Sequence, residues 1–226
     1  MSPERLTRPS EDHVQAVMRR FVREFPDAVL IGGWASYLRA RVAKSHDIDI
    51  IVDHVTLGKL GAKFQLAPSR HISGQKFAFE IDGVGVDVYP VYQSKLGRRL
   101  QIPVEVLIDH TEKIDRTRVL TAEAQFVAKM AALLDRPDTL PGDKDRHEMW
   151  QLINSGPGLD FKAIAGILLR GGWEGKRREG LLDQTFDLLG ETADLNKQDR
   201  ATLKLNRVRA RQATLAVEGR DQDLER

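Results

Sequence analysis

Two aspartates two residues apart, Asp47 and Asp49, stand in the run Ser45-His46-Asp47-Ile48-Asp49-Ile50-Ile51-Val52. Side chains alternate along a strand, so both carboxylates point to one face while Ile48, Ile50 and Val52 point into a core. Two like charges so placed repel unless a proton or a cation lies between them, and acidic residues are depleted in strands, so the pair asks for a metal. Upstream, Gly32-Gly33 separates the short apolar run 28–31 from a helical pattern over 34–42. Glycines between a strand and a helix admit a phosphate to backbone N–H groups at the positive end of the helix dipole, although a tight turn has the same composition. Magnesium favours one or two carboxylates plus substrate phosphates, so the glycine turn and the acidic strand together describe a nucleotide-metal site. Asp87 adds a third carboxylate on a later strand, where Val84, Val86 and Val88 face one way and Gly85, Asp87 and Tyr89 the other. Three acids on two strands suffice for two ions roughly 3.5 to 4 Å apart.

The elements that hold these residues divide the chain. Before the glycine pair, Ser10 is a candidate N-cap for a helix burying Val14, Val17, Met18, Phe21 and Val22. After the acidic pair comes a short helix over 55–63, and Asp82-Gly83 joins strands 78–81 and 84–91 as a hairpin. From Thr121 the periodicity is helical, with helices expected over 121–134, from about Lys144, and over 161–170, 181–189 and 198–217. The second Gly-Gly-Trp, at 171–173, follows a helix and reads as its C-cap. The fold class is α+β, a mixed sheet with flanking helices over 1–118 followed by a helical half over 119–226.

Composition bounds the rest. The chain has 226 residues, 41% hydrophobic and 30% charged, with a formal net charge of +2. That is an ordinary globular balance with no strong overall pull toward nucleic acid or membrane. With no cysteine there is no disulfide, thiolate site or cysteine nucleophile. The opening residues carry no apolar run of a secretory signal, and no stretch nears the ~20 residues that span a bilayer. A cytoplasmic protein is expected.

The runs IGGWAS, SHDIDIIV and GVDVYPV, within about residues 28 to 92, resemble the nucleotidyltransferase fold shared by DNA polymerase beta and by antibiotic and toxin nucleotidyltransferases. That resemblance implies a catalytic domain over 1–118 in which Asp47, Asp49 and Asp87 bind magnesium or manganese. Asp87 would also help activate the acceptor, and Gly32, Gly33 and Ser36 would line the triphosphate pocket. Many members place a serine directly after the first glycine, where this chain has Gly33-Trp34-Ala35-Ser36. The later runs AEAQFVAKMAALLDRPD and GDKDRHEMWQL are similar to the helical segment of abortive-infection toxins, the toxin partners of type IV toxin-antitoxin pairs. This implies that Lys129 contacts phosphate, that Asp145 completes the site, and that Ser45 belongs to it, with 119–226 closing the cleft. The activity implied is transfer of a nucleoside monophosphate from a nucleoside triphosphate to an acceptor hydroxyl, with RNA, a tRNA end, as acceptor and a cognate antitoxin as partner.

Three alternatives stand beside it: transfer to an aminoglycoside or lincosamide, transfer to a protein side chain, and a nucleotide-binding regulatory module without turnover. Arg200, Lys204, Arg207 and Arg211 form a basic stripe beside Ala201, Leu205 and Val208, either a nucleic-acid track or a solvated helix face. Lys95, Arg98 and Arg99 follow the Asp87 strand and are placed to meet acceptor or triphosphate. His46 could touch phosphate, and His147 reads as a helix surface residue.

Overall fold

A computed structural model describes residues 9–42, 44–69, 74–154 and 158–224. In chain order its elements are α1 (Glu11–Glu24), β1 (Val29–Ile31), α2 (Gly32–Ala40), β2 (Ile48–Val52), α3 (His54–Lys63), β3 (Ala67–Ser69), β4 (Lys76–Ile81) and β5 (Val84–Pro90). Then follow β6 (Lys95–Leu96), β7 (Ile102–Pro103), α4 (Val104–Ile108), β8 (Thr111–Ile114) and β9 (Thr117–Leu120). The remainder is helical: α5 (Ala122–Asp135), α6 (Leu140–Asn154), α7 (Phe161–Arg170), α8 (Gly175–Gly190) and α9 (Lys197–Leu224). This is the expected mixed sheet with flanking helices and a helical second half. The start of the chain, on which the reading of no secretory signal rested, lies outside the described residues up to residue 8.

Seven strands form the main sheet in the order β3-β4-β5-β2-β1-β9-β8. β2 runs parallel to β5 and antiparallel to β1, and β9 lies parallel to β1 on its other side. Alternation then sorts the side chains. Leu30, Ile48, Ile50, Val52, Val86 and Val88 pack with Val14, Val17, Met18 and Phe21 of α1 and Leu60 of α3. Val29, Ile31, Ile51 and Tyr89 on the opposite face pack with Phe126, Val127 and Met130 of α5 and onward into α6 to α8. The acidic face of β2 therefore looks toward the helical half.

Local chemistry sets many boundaries. Ser10 caps α1 by accepting from His13 N at 3.2 Å, and Thr121 caps α5 by accepting from Ala124 N at 3.4 Å. Asp82 and Gly83 both take positive φ, +50° and +77°, as a two-residue hairpin turn of the primed type requires. Gly171 caps α7. Two helices begin earlier than periodicity indicates, α6 at Leu140 and α8 at Gly175, and Gly180 lies inside α8. The sequence reading placed no strand at β8 or β9, yet β9 is flanked on both sides in the sheet. Arg118 breaks its apolar pattern, and its pairing with β1 is between residues far apart in the chain.

Candidate active-site cleft

Strand register brings the first acids together. Asp49 lies directly beside Asp87 on β5 and beside Ile31 on β1. Ile31 is the N-cap of α2, so β1 passes into the helix at Gly32 without a loop. No side chain caps this N-terminus and its first turn holds no acidic residue, which leaves its backbone N–H groups available to an anion. Both glycines are required by close approach. Gly32 has φ +67°, and a Cβ there would stand 2.3 Å from Asp49 Oδ2. At Gly33 a Cβ would stand 2.9 Å from Ser45 Cβ and 3.2 Å from Lys144 Nζ.

The acids are not equivalent. Burial, then the neighbouring charges of Asp47 and Asp87, push the Asp49 carboxyl up to about 7, against the opposing pull of Lys76 and Lys129. Asp47 stands exposed at the cleft mouth, where Ser45 Oγ donates to its Oδ1 at 2.5 Å. Asp87 accepts from Lys76 Nζ at 2.5 Å. Burial, followed by the fields of Asp49, Asp87 and Asp47, raises the Tyr89 phenol, whose hydroxyl is hydrogen-bonded to Asp49. It stays a neutral donor.

The helical half supplies the opposite wall. Lys129 of α5 is buried, with Nζ 3.0 Å from Asp145 Oδ1 and 2.5 Å from Glu148 Oε2, both on α6. Burial opposes its charge, but the two carboxylates outweigh burial and hold the ammonium protonated above the ordinary lysine range. Arg136 donates twice to Asp145 Oδ2, at 2.9 and 2.7 Å. Lys144 lies 3.8 Å from Glu148 and donates to Lys44 O at 3.3 Å, beside Gly33. Gln125, 1% exposed, donates through Nε2 to Gly32 O at 3.0 Å and to Ser36 Oγ at 3.1 Å. Its Oε1 is buried in the cleft wall with no hydrogen-bond partner.

These groups enclose a cleft of about 650 Å³ lined by Gly32, Gly33, Ser45, Asp47, Asp49, Asp87, Lys129 and Asp145, eight of the nine residues that motif and resemblance single out. Ser36 is the exception and corrects the expectation that it lines the triphosphate pocket. One turn into α2, it is 1% exposed and donates back to Gly32 O at 3.3 Å, so it supports the glycine turn from behind. His46 lines the mouth and His147 is exposed on α6. Arg98 and Arg99 are not in the lining: their backbone N–H groups bind Asp135, and the Arg99 guanidinium turns to Leu134 O and Gln184. Half of the α9 stripe is neutralised, with Arg207 and Arg211 paired to Asp183 and Asp187 of α8. Its neighbours Leu205 and Val208 are half exposed, and the helix instead buries Leu203, Asn206, Ala210 and Ala213. A smaller groove of about 440 Å³, lined by Asp53, Tyr92, Glu105 and Asp109, contains none of these residues.

Sequence reading missed Lys76, Gln125, Arg136, Lys144 and Glu148. Lys76 precedes the apolar run that marks β4, and Glu148 reads as one more charge on a polar helix. Only α6 packing on α5 reveals it as a buried counter-ion.

Among the described residues no three or more His, Cys, Asp or Glu side chains converge into a cage for a metal ion. Asp47 and Asp49 nevertheless present hard oxygen donors beside an uncapped helix N-terminus, and the charges of Asp47 and Asp87 add to burial in raising the Asp49 carboxyl. That donor set fits a magnesium or manganese ion completed by substrate phosphates and water.

No protein-family model matches the chain, and no curated protein matches it either. Among solved structures it is similar to the JHP933 protein of Helicobacter pylori, at 13% identity over 95% of this chain and 96% of that one, with a TM-score of 0.48. It is also similar to an antigenic nucleotidyltransferase-like protein of Paracoccidioides brasiliensis, at 14% identity over 80% and 93%, TM-score 0.41. A candidate nucleotidyltransferase of Thermotoga maritima covers 55% of this chain and 88% of its own at 16% identity, TM-score 0.43. The cleft's own geometry carries the reading of function.

Proposed function

We propose that the cleft is the active site of a nucleotidyltransferase that moves a nucleoside monophosphate from a nucleoside triphosphate to an acceptor hydroxyl. The observation that carries this is convergence: a glycine turn that admits no Cβ, an acidic strand pair, and Lys129 with Asp145 from a distant part of the chain line one cleft. In the reaction the acceptor oxygen bonds to the α-phosphorus, the bond from that phosphorus to the αβ-bridging oxygen breaks, and pyrophosphate leaves. The acceptor proton passes to the carboxylate side of the cleft, at Asp87. A magnesium ion bound at Asp47 and Asp49 supplies charge neutralisation at the phosphates. The α2 N–H groups bind phosphate oxygens, and the opposite wall, where Lys129, Arg136 and Lys144 outnumber Asp145 and Glu148 by one charge, faces the triphosphate with a net positive charge.

For the acceptor, the reading is RNA, a tRNA end, with the protein acting in the cytoplasm as the toxin of a toxin-antitoxin pair. Support comes from the resemblance of the helical half and from Lys144, Arg136 and His46 at the cleft. The paired arginines of α9 do not add to it. No helix among the described residues is long and apolar enough to cross a membrane, in keeping with a dissolved substrate. The test is incubation with each labelled triphosphate and magnesium together with total RNA, an aminoglycoside and lincosamide panel, or protein alone. Label in RNA is the expected result. Label in drug or protein moves the acceptor, and triphosphate bound without transfer to any of them favours a regulatory module. Growth arrest on expression, relieved by a neighbouring small gene, is the expected sign of the toxin role.

A further inference from the structure

We propose that Lys76 is a permanent counter-cation of Asp87, so that the acidic face takes one divalent cation per chain, at Asp47 and Asp49, and not two. This rests on the nucleotide-metal reading of the cleft and concerns how many ions that cleft accepts.

The position of Lys76 follows from the sheet. β4 pairs antiparallel with β5 with Ala78 opposite Asp87, so Lys76, two residues earlier, projects from the same face one diagonal step away. A diagonal neighbour across a ladder is within reach of a long side chain. Its ammonium meets Asp87 Oδ2 at 2.5 Å and lies 5.4 Å from the centroid of the Tyr89 ring, a cation–π separation. Tyr89 is itself buried and tied to Asp49 through its hydroxyl, so its ring is a fixed surface. The Lys76 and Asp87 side chains are only 15% and 26% exposed, so the pair is shielded and not rinsed by solvent. Lys76 is thus held from two sides at the carboxylate that a second ion needs.

Charge counting agrees. With all three ionised, and counting the side chains alone, Asp47, Asp49 and Asp87 carry three negative charges and Lys76 one positive, leaving two, which a single divalent cation neutralises. On the opposite wall Lys129 is already matched by Asp145 and Glu148 and offers no vacant carboxylate. A second ion at Asp87 would have to displace an ammonium into a partly buried position beside a dication, against like-charge repulsion in a medium of reduced dielectric.

The test is ion counting. The full chain is saturated with a non-hydrolysable triphosphate analogue and titrated with Mn²⁺, the free ion being read by electron paramagnetic resonance. Wild type is expected to take up about one ion per analogue-bound chain and Lys76→Met about two, as expected where a third carboxylate is released. Lys76→Arg, which keeps the cation, is expected to stay at about one, and circular dichroism confirms that each variant is folded. Asp87→Asn is expected to weaken the single ion less than about 3-fold and Asp49→Asn more than about 10-fold, because only the latter removes a ligand. Two ions in wild type, one in a folded Lys76→Met, or equal losses in the two asparagine variants each overturn the inference. Wild type that retains no analogue overturns the nucleotide reading and this inference with it, which separates the two failures.

Discussion

Asp49 lies within the fields of Asp47 and Asp87, and its protonation couples the cleft to the stability of the fold. Its carboxyl titrates at about 7 in the folded chain, against 3.8 for an unperturbed aspartate. Between those values the folded chain keeps a proton that the unfolded chain has lost, so this contribution to stability is complete below the unfolded value and is lost as pH rises through 7. The ligand-free protein is therefore expected to melt at a higher temperature near pH 5.5 than near pH 8, by roughly the several degrees that ~2 kcal/mol moves a domain of this size. Asp49→Asn, neutral throughout, should flatten that difference, and an unchanged pH slope in the variant would sink the account. Asp49→Ala should reduce nucleotide transfer by at least about 100-fold while leaving the circular dichroism spectrum unchanged, since a metal-ligand loss acts on the chemistry and not on the core. Transfer retained in that variant would remove Asp49 from the metal site.

At the level of elements, the junction of β1 with α2 and the seam between α5 and α6 do separate jobs. Gly32 is pinned by its positive φ and by Asp49 behind it. Gly32→Ala is expected to weaken triphosphate binding by about 10-fold or more, because the strain and the clash both fall on the phosphate-facing turn. Gly85→Ala, on a strand with open space around its Cβ position, is the control and should bind as wild type. Calorimetry with a triphosphate analogue reads both. At the α5–α6 seam, Lys129→Met leaves Asp145 and Glu148 buried with one cation fewer, and breaking a buried pair in this way costs about 3–5 kcal/mol. Urea denaturation should show that loss, and a midpoint within error of wild type would mean that the two carboxylates find other partners.

Across the whole molecule, one core cluster runs from Val29, Ile31, Ile51 and Tyr89 of the sheet through α5 to α8, so the carboxylate face of the sheet is also the face that the helical half covers. A fragment ending at residue 120 would bare those side chains, and it is expected to aggregate or to lack a cooperative melt by size exclusion and calorimetry. A soluble, cooperatively folded fragment would show the two halves to be independent. The sequence by itself determined what local periodicity and turn chemistry can encode. The Ser10 cap, the Asp82-Gly83 hairpin, the glycine turn after β1, α7 with its Gly171 cap, and the strand that carries Asp49 all depend on residues a few positions apart. The position of β9 beside β1, the burial of Lys129 between two carboxylates, the withdrawal of Ser36 behind the turn, and the pairing of Lys76 with Asp87 were decided only in the tertiary structure. The reason is physical: a charge in a sequence reads as solvated until packing removes the water around it, and which counter-charge replaces that water depends on strand register and helix seating between distant segments.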